Sequence, residues 1–284
     1  MRIQTNKGKM TRWKEIESLI PVFKEAFQDV IDFDKFNNIS ITFHSTAIEG
    51  STLTLPEAEV LIDKGLSPKG KPFIHQQMVL DHYNALIETL KLAKAKSPIT
   101  VELIQSIAAL VMKKTGSVIH TPLGNYDSSK GELRLNNVRA GNHYFVNYDK
   151  VGSMLLKLVA KLNQSIDNVK SIPDILTLAF TTHFDLVSIH PFADGNGRTS
   201  RLLMNFIQHY HDLPISPVFY EDRNAYIDGL TNSREQKSLE PFISFMSDQY
   251  VKYLTKEISN FQSQRQDLGK GIDKSSRSGY SLVF

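Results

Sequence analysis

Apolar residues recur every three or four positions along most of this chain, and that helical period constrains the fold more than any other feature. Trp13, Ile16 and Ile20, then Phe23, Phe27 and Val30, follow it, with Pro21 placed as the first-turn residue of a second helix. These N-terminal apolar residues are expected in the core. Thr54 and Glu57 form a capping box that opens a further helix, which Gly65 is placed to close. The same period predicts helices over about 73–95, 100–113, 149–168, 173–188, 198–211 and 239–261. Residues 133–146 (LRLNNVRAGNHYFV) break it: Val, Tyr and Phe flank Asn and Gly, the composition of a short hairpin. The fold class expected is mostly α, a helical bundle with one small hairpin. At 284 residues, 41% of them hydrophobic, the chain can bury a substantial core. No repeat or Pro-rich linker divides it, and the polar, Gly- and Ser-rich stretch 263–284 reads as a flexible tail.

Charge and composition exclude several function classes. Thirty-three Lys+Arg against 30 Asp+Glu leave a formal charge of +3, too little for a general nucleic-acid or membrane-surface binder. The absence of Cys excludes disulfides, thiolate catalysis and Cys-ligated zinc. The first ten residues lack the apolar core of a signal peptide, and no run approaches the roughly 18 apolar residues of a spanning helix. A soluble cytoplasmic protein with no membrane partner is expected.

The chemistry concentrates in His190-Pro191-Phe192-Ala193-Asp194-Gly195-Asn196-Gly197-Arg198-Thr199-Ser200-Arg201. Two glycines around an asparagine let backbone N–H groups turn into one concavity directly before a helical pattern, which makes an anion nest at a helix N-terminus. On that helix Leu202, Leu203, Phe206, Ile207 and Tyr210 share one face, while Arg198, Arg201 and Asn205 share another. Two guanidinium groups beside a nest suit a polyphosphate, whose oxygens each can grip bidentately. Asp194 could hold Mg²⁺ through oxygen while the ion keeps waters and touches phosphates. His190, ordinarily near pKa 6.5, can accept a proton around neutrality. Taken singly, each feature has a plainer meaning: a helix-end histidine as a cap, Gly-Asn-Gly as a turn, paired arginines as a solvated face. Their coincidence within twelve residues points to a functional site. No Gly-Lys-Ser/Thr follows the glycines, so the loop is not a Walker A motif.

The segment resembles the signature of the Fic (filamentation induced by cAMP) family, His-Pro-Phe-x-Asp/Glu-Gly-Asn-Gly-Arg-x-x-Arg, at every specified position. The resemblance implies a Fic fold, with the hairpin as a flap over the active site. It also implies a nucleotidyltransferase that moves AMP from Mg·ATP to a Ser, Thr or Tyr hydroxyl of a protein target (AMPylation). In that reading His190 is the catalytic base, Asp194 binds Mg²⁺ on the α- and β-phosphates, and Gly195, Asn196 and Gly197 form the anion hole. Arg198 contacts the phosphates and Arg201 the γ-phosphate. Gly131 to Arg134 and the segment ending His143, Tyr144, Phe145 and Val146 resemble the family's Gly-x-x-Arg stretch and the flap that docks a target by strand addition. Tyr226 resembles the aromatic that lines the adenosine side, although the asparagine often found eight residues later is Arg234 here.

Ser45-Thr46-Ala47-Ile48-Glu49-Gly50 has its own physical reading. If Gly50 closes a helix, Glu49 sits where the helix dipole disfavours negative charge, and it wants a cationic partner. The stretch also resembles the family's inhibitory helix, in which Glu49 would pair with Arg201 and keep the γ-phosphate from its productive place. The division implied is a helical region 1–97 carrying that helix at about 40–50, a Fic core 98–262 and the tail. Too little chain follows the last helix for a winged-helix domain, which argues against DNA binding. Two alternatives keep the same site: a hydrolase that removes AMP, and a nucleotide-binding regulatory module with vestigial catalysis. A metal site on His183 and His190 lacks a third ligand at suitable spacing. Self-modification and a homodimer both stay open.

Overall fold

The computed structural model describes residues 2–271 except 29, 31 and 142, with side chains described between 11 and 263. The described residues include ten α-helices, two short 3-10 turns and two small hairpins. In chain order they are α1 (Arg2–Phe27), α2 (Phe33–Ile48), α3 (Leu55–Lys64), α4 (Phe73–Lys94) and α5 (Val101–Val111), then strands β1 (Val118–Thr121), β2 (Gly124–Asp127), β3 (Arg139–Ala140) and β4 (His143–Tyr144). The C-terminal half holds α6 (Tyr148–Ile166), α7 (Ile172–Ile189), α8 (Asn196–Tyr210), α9 (Arg223–Glu235) and α10 (Glu240–Gly271).

Local chemistry explains most of the helix ends. Thr54 accepts from the Glu57 N–H while the Glu57 carboxylate accepts from the Thr54 N–H at 2.8 Å, and Gly65 ends α3 with φ 65°. Ser171 caps α7 through the Asp174 N–H, and Thr100 caps α5 through that of Leu103. Pro21, expected to begin a helix, lies inside α1. The apolar stripe of Ile16, Ile20, Phe23 and Phe27 runs through it and is buried, whereas Pro21 and Glu17 face solvent, so the carbonyl the proline leaves unbonded can be hydrated. α10 is also longer than expected and continues through 263–271, while the rest of the expected tail, 272–284, lies outside the described residues.

The centre of the bundle is the pair α7 and α8, which make the most extensive helix contact. α8 is buried along most of its length, with Leu202, Leu203, Met204, Phe206 and Ile207 at 0% exposure. It also buries Arg198, Arg201, Asn205 and Gln208, an unusual polar load for a core helix. Gln208 and Asn205 satisfy each other at 3.0 Å and bond Ser216, so this end of α8 is structural. α7 is long and apolar enough to cross a membrane by composition, yet half of that window is buried within the fold. Its Leu176, Ala179, Phe180 and Leu186 are fully covered core residues. On the other side α1 lies along α10, where Phe23 and Phe27 pack with Phe33 and Tyr253, as expected of core residues.

Candidate active site

The turn from α7 to α8 builds the site. α7 stops because His190 takes a left-handed conformation (φ 52°, ψ 59°) and Pro191 cannot continue a helix. The next residues are held by Asn196, whose side chain accepts from the Phe192 N–H and donates to the Phe192 carbonyl, both at 3.0 Å. Its amide group is spent as a clamp, so only the Asn196 backbone is left for the expected anion hole. Gly195 opens α8 at φ 77°, where a β-carbon would also crowd Met112 and Val111. No side chain caps α8 and no acidic residue lies in its first turn, so its leading N–H groups remain available to an anion.

His190 presents one nitrogen to the site. Its Nδ1 lies 3.3 Å from the Val187 carbonyl, which can only accept, so the ring hydrogen sits on Nδ1 and the Nε2 lone pair is free. Phe145 stacks on the imidazole with ring centroids 3.8 Å apart and planes 20° from parallel. Burial is the main influence on this ring and lowers its pKa to about 4; Arg134 and Arg234 add to that, and the Val187 bond and Asp194 oppose it. At neutral pH the imidazole is uncharged, with its Nε2 lone pair unprotonated.

The two arginines of α8 stand in different states. Arg198 is 1% exposed, and its Nη2 lies 3.4 Å from Asp194 and 3.3 Å from the Met112 sulfur. Its Nε and Nη1 are buried without a partner, a costly arrangement that an incoming acceptor would relieve. Arg201 is fully occupied: Nε bonds Ser45 Oγ and Nη2 the Ser45 carbonyl, both at 2.9 Å, and Nη2 meets Glu49 Oε1 at 2.7 Å. Burial works against this guanidinium's charge, but the Glu49 carboxylate and the Tyr226 hydroxyl together lift its pKa above the ordinary arginine value. Glu49 forms the C-cap of α2, just past Ile48, and Gly50 follows at φ 99°. The charge that the helix dipole disfavours is thus matched by a buried cation. Gly197 makes room for this pair, because a β-carbon there would collide with Glu49 Oε1.

Asp194 is 67% exposed; its Oδ1 accepts from the Gly195 N–H. One solvent-facing carboxylate beside a phosphate cradle fits Mg²⁺, which keeps most of its waters and shares the phosphate oxygens. No group of three or more His, Asp or Glu side chains suited to a metal occurs among the described residues, so an all-protein metal cage is not part of this site.

The hairpin is smaller than expected. Only Arg139–Ala140 and His143–Tyr144 pair, in the register Arg139↔Tyr144 and Ala140↔His143. Phe145 and Val146 leave the strand: Phe145 covers His190, and the Val146 carbonyl accepts from Arg134. Arg134 is 1% exposed and also donates to the carbonyls of His190 at 2.7 Å and Asn136 at 2.6 Å. It clasps the hairpin to the turn between α7 and α8, a task no sequence pattern reveals, because arginine burial depends on distant carbonyls. Tyr226, expected to line the adenosine side, is 2% exposed, and its hydroxyl lies 3.0 Å from His183 Nε2 and 3.5 Å from Arg201 Nη1. Its ring is packed among Phe242 and Phe245, which leaves no face for a nucleoside. A cavity of about 440 Å³ opens beside Phe145 instead, walled by His143, Ser188, Ser233, Arg234 and Leu239.

Residues 98–208 match the Fic/DOC family. The chain is 30% identical over 207 residues to the protein adenylyltransferase Fic of Drosophila yakuba, an alignment that covers 72% of this chain and 39% of that relative. The chain thus spans about two fifths of that relative's length. A Fic domain containing signaling protein from Bacteroides thetaiotaomicron superposes with a TM-score of 0.74 at 21% identity, covering 88% of this chain and 97% of the other. Fic-1 from C. elegans superposes at 0.71 with 23% identity, covering 93% and 76%. The clamped turn, the open helix end and its two arginines all lie within the matched residues, and the chain belongs to the Fic/DOC family.

Proposed function

We propose that this protein is a protein adenylyltransferase that moves AMP from Mg·ATP to a target hydroxyl, and that Glu49 restrains it. The observation carrying the reading is the buried guanidinium of Arg198, with two unpaired nitrogens, at an uncapped helix end beside a histidine whose Nε2 is free. Donor-only groups converging there call for a polyanion. The name of the Drosophila relative supports adenylyl transfer in particular.

The α8 N–H groups and Arg198 would hold the α- and β-phosphates, and Arg201, one turn further on, would take the γ-phosphate. His190 Nε2 would accept the hydroxyl proton as that oxygen bonds the α-phosphorus and the bond to the bridging oxygen breaks, releasing pyrophosphate. Mg²⁺, held by Asp194, would supply neutralisation of phosphate charge. The exposed residues Arg139, Ala140, His143 and Tyr144 offer short strand edges on which an extended target segment could pair, with main-chain hydrogen bonds that tolerate different side chains.

Glu49 competes for the guanidinium that the γ-phosphate needs. A charge-assisted hydrogen bond of this kind contributes roughly 1.5–3 kcal/mol, so Glu49→Gly should raise labelling from α-labelled ATP by about ten-fold to a hundred-fold. Self-labelling and target labelling in a lysate are both read on a gel. Equal labelling by wild type and Glu49→Gly would end the autoinhibited-transferase reading.

A further inference from the structure

Two buried polar side chains lie behind Arg201 and outside the signature loop: His183 on α7, 0% exposed, and Tyr226 on α9. Chemistry sets the direction of each bond between them. A guanidinium only donates, so the Tyr226 oxygen accepts from Arg201 Nη1 at 3.5 Å. Among the described residues the tyrosine hydrogen has no other acceptor, so satisfying it makes His183 Nε2, 3.0 Å away, the unprotonated ring nitrogen. That choice strands the ring hydrogen on Nδ1, which is buried without a partner. A leucine and a phenylalanine would fill the same space with no such cost, so the arrangement calls for a reason beyond packing. Burial first, then the charges of Arg201 and Arg234, keep His183 neutral and able to accept. The ring of His183 is stacked on Phe242, which fixes where its lone pair points.

Arg201 is held from three sides. Ser45 takes Nε and Nη2, Glu49 takes Nη2, and Tyr226 takes Nη1. Ser45 and Tyr226 are buried, whereas the Glu49 side chain is 32% exposed and sits at a helix end. Of the three, Glu49 is the one that can leave without opening the core. We infer that Tyr226, oriented by His183, is a positioning residue that keeps Arg201 in place once Glu49 withdraws, so that the guanidinium meets the γ-phosphate already aligned. The inference rests on the ATP-dependent reading above.

The test uses the full chain carrying Glu49→Gly, with Tyr226→Phe, His183→Leu or His183→Gln added, and calorimetric titration with Mg·ATP and with Mg·ADP. Tyr226→Phe should weaken ATP by about ten-fold and leave ADP within about two-fold, since only the γ-phosphate contact depends on Nη1. His183→Leu should reproduce that split, and His183→Gln, whose amide oxygen also accepts, should restore most of the ATP affinity. Equal weakening of both nucleotides would mean a structural role only, and no weakening would mean none; either overturns the inference. If His183→Leu fails to fold, Tyr226→Phe, which removes one atom, decides alone. If the Glu49→Gly parent binds ATP no more tightly than ADP, the γ-phosphate assignment itself fails, and the inference falls with it.

Discussion

The chemistry proposed for His190 hangs on one lone pair. Nδ1 is committed to the Val187 carbonyl, so Nε2 alone can receive a proton, and Phe145 shields the ring from bulk water. Removing a positioned base typically costs about 10²–10⁴ in rate, so His190→Ala should lose AMP transfer by that factor in the α-label assay. Calorimetry should show ATP affinity nearly unchanged, because the histidine is not part of the phosphate cradle; retention of more than about a tenth of the rate would remove it from the base role. Its pKa of about 4 sets the pH profile. The neutral ring is the active form, so kcat/KM should stay level from pH 8 down to about 5 and fall only below that. A profile with its acid limb near the ordinary histidine value of ~6.5 would show that the imidazole is solvated in the working enzyme.

At the scale of elements, two junctions matter: the end of α2, where Glu49 reaches α8, and the clasp between the hairpin and the turn from α7 to α8. Arg134 makes the second by donating to carbonyls of Asn136, Val146, Ile189 and His190. Such carbonyls have no secondary-structure partner, so one guanidinium stands in for a missing ladder. Arg134→Met keeps the stem and removes the donors; it should destabilise the protein by about 2–4 kcal/mol and abolish transfer, as the hairpin and His190 lose their common anchor. Arg134→Lys, with one nitrogen in place of a fork, should rescue little. Thermal unfolding with parallel labelling checks both variants, and full activity in Arg134→Met would show that the clasp is dispensable. β1 and β2 were not expected from sequence, because four-residue strands leave too short a pattern to separate from a loop.

For the whole molecule, buried histidines make stability depend on pH. His44 and His190 are lowered to about 4 chiefly by burial, and His82 and His183 well below their ordinary value for the same reason. In the unfolded chain each titrates near 6.5, so between about pH 6.5 and 4 the unfolded state binds more protons and stability falls as pH falls. Each histidine removes up to about 1.4 kcal/mol per pH unit in that window. Asp81 and Glu257, whose carboxyls burial pushes up, oppose this only toward the acid end, where carboxylates titrate. The melting temperature should therefore be level from pH 8 to 7 and drop steadily toward pH 5; a melting temperature that holds or rises over that interval would contradict the neutral, buried state of these rings.

The sequence by itself determined the helical class, the capping of α3, most helix spans and the loop that carries the chemistry. These depend on residues within a turn or two of one another, so period and capping patterns suffice to read them. It also marked Glu49 and Arg201, 152 positions apart, as partners, through family resemblance together with the plain electrostatics of a carboxylate at a helix C-terminus. Only the tertiary structure decided that Asn196 clamps the turn, that Arg134 is buried, that Phe145 covers His190 and that Tyr226 belongs behind Arg201. Each of those outcomes turns on which donor meets which acceptor across elements far apart in the chain, and a local pattern carries no record of that. Pro21 fits the same reasoning: its local preference was to begin a helix, and packing of the Ile16-to-Phe27 stripe against α10 outweighed the loss of one solvent-side hydrogen bond.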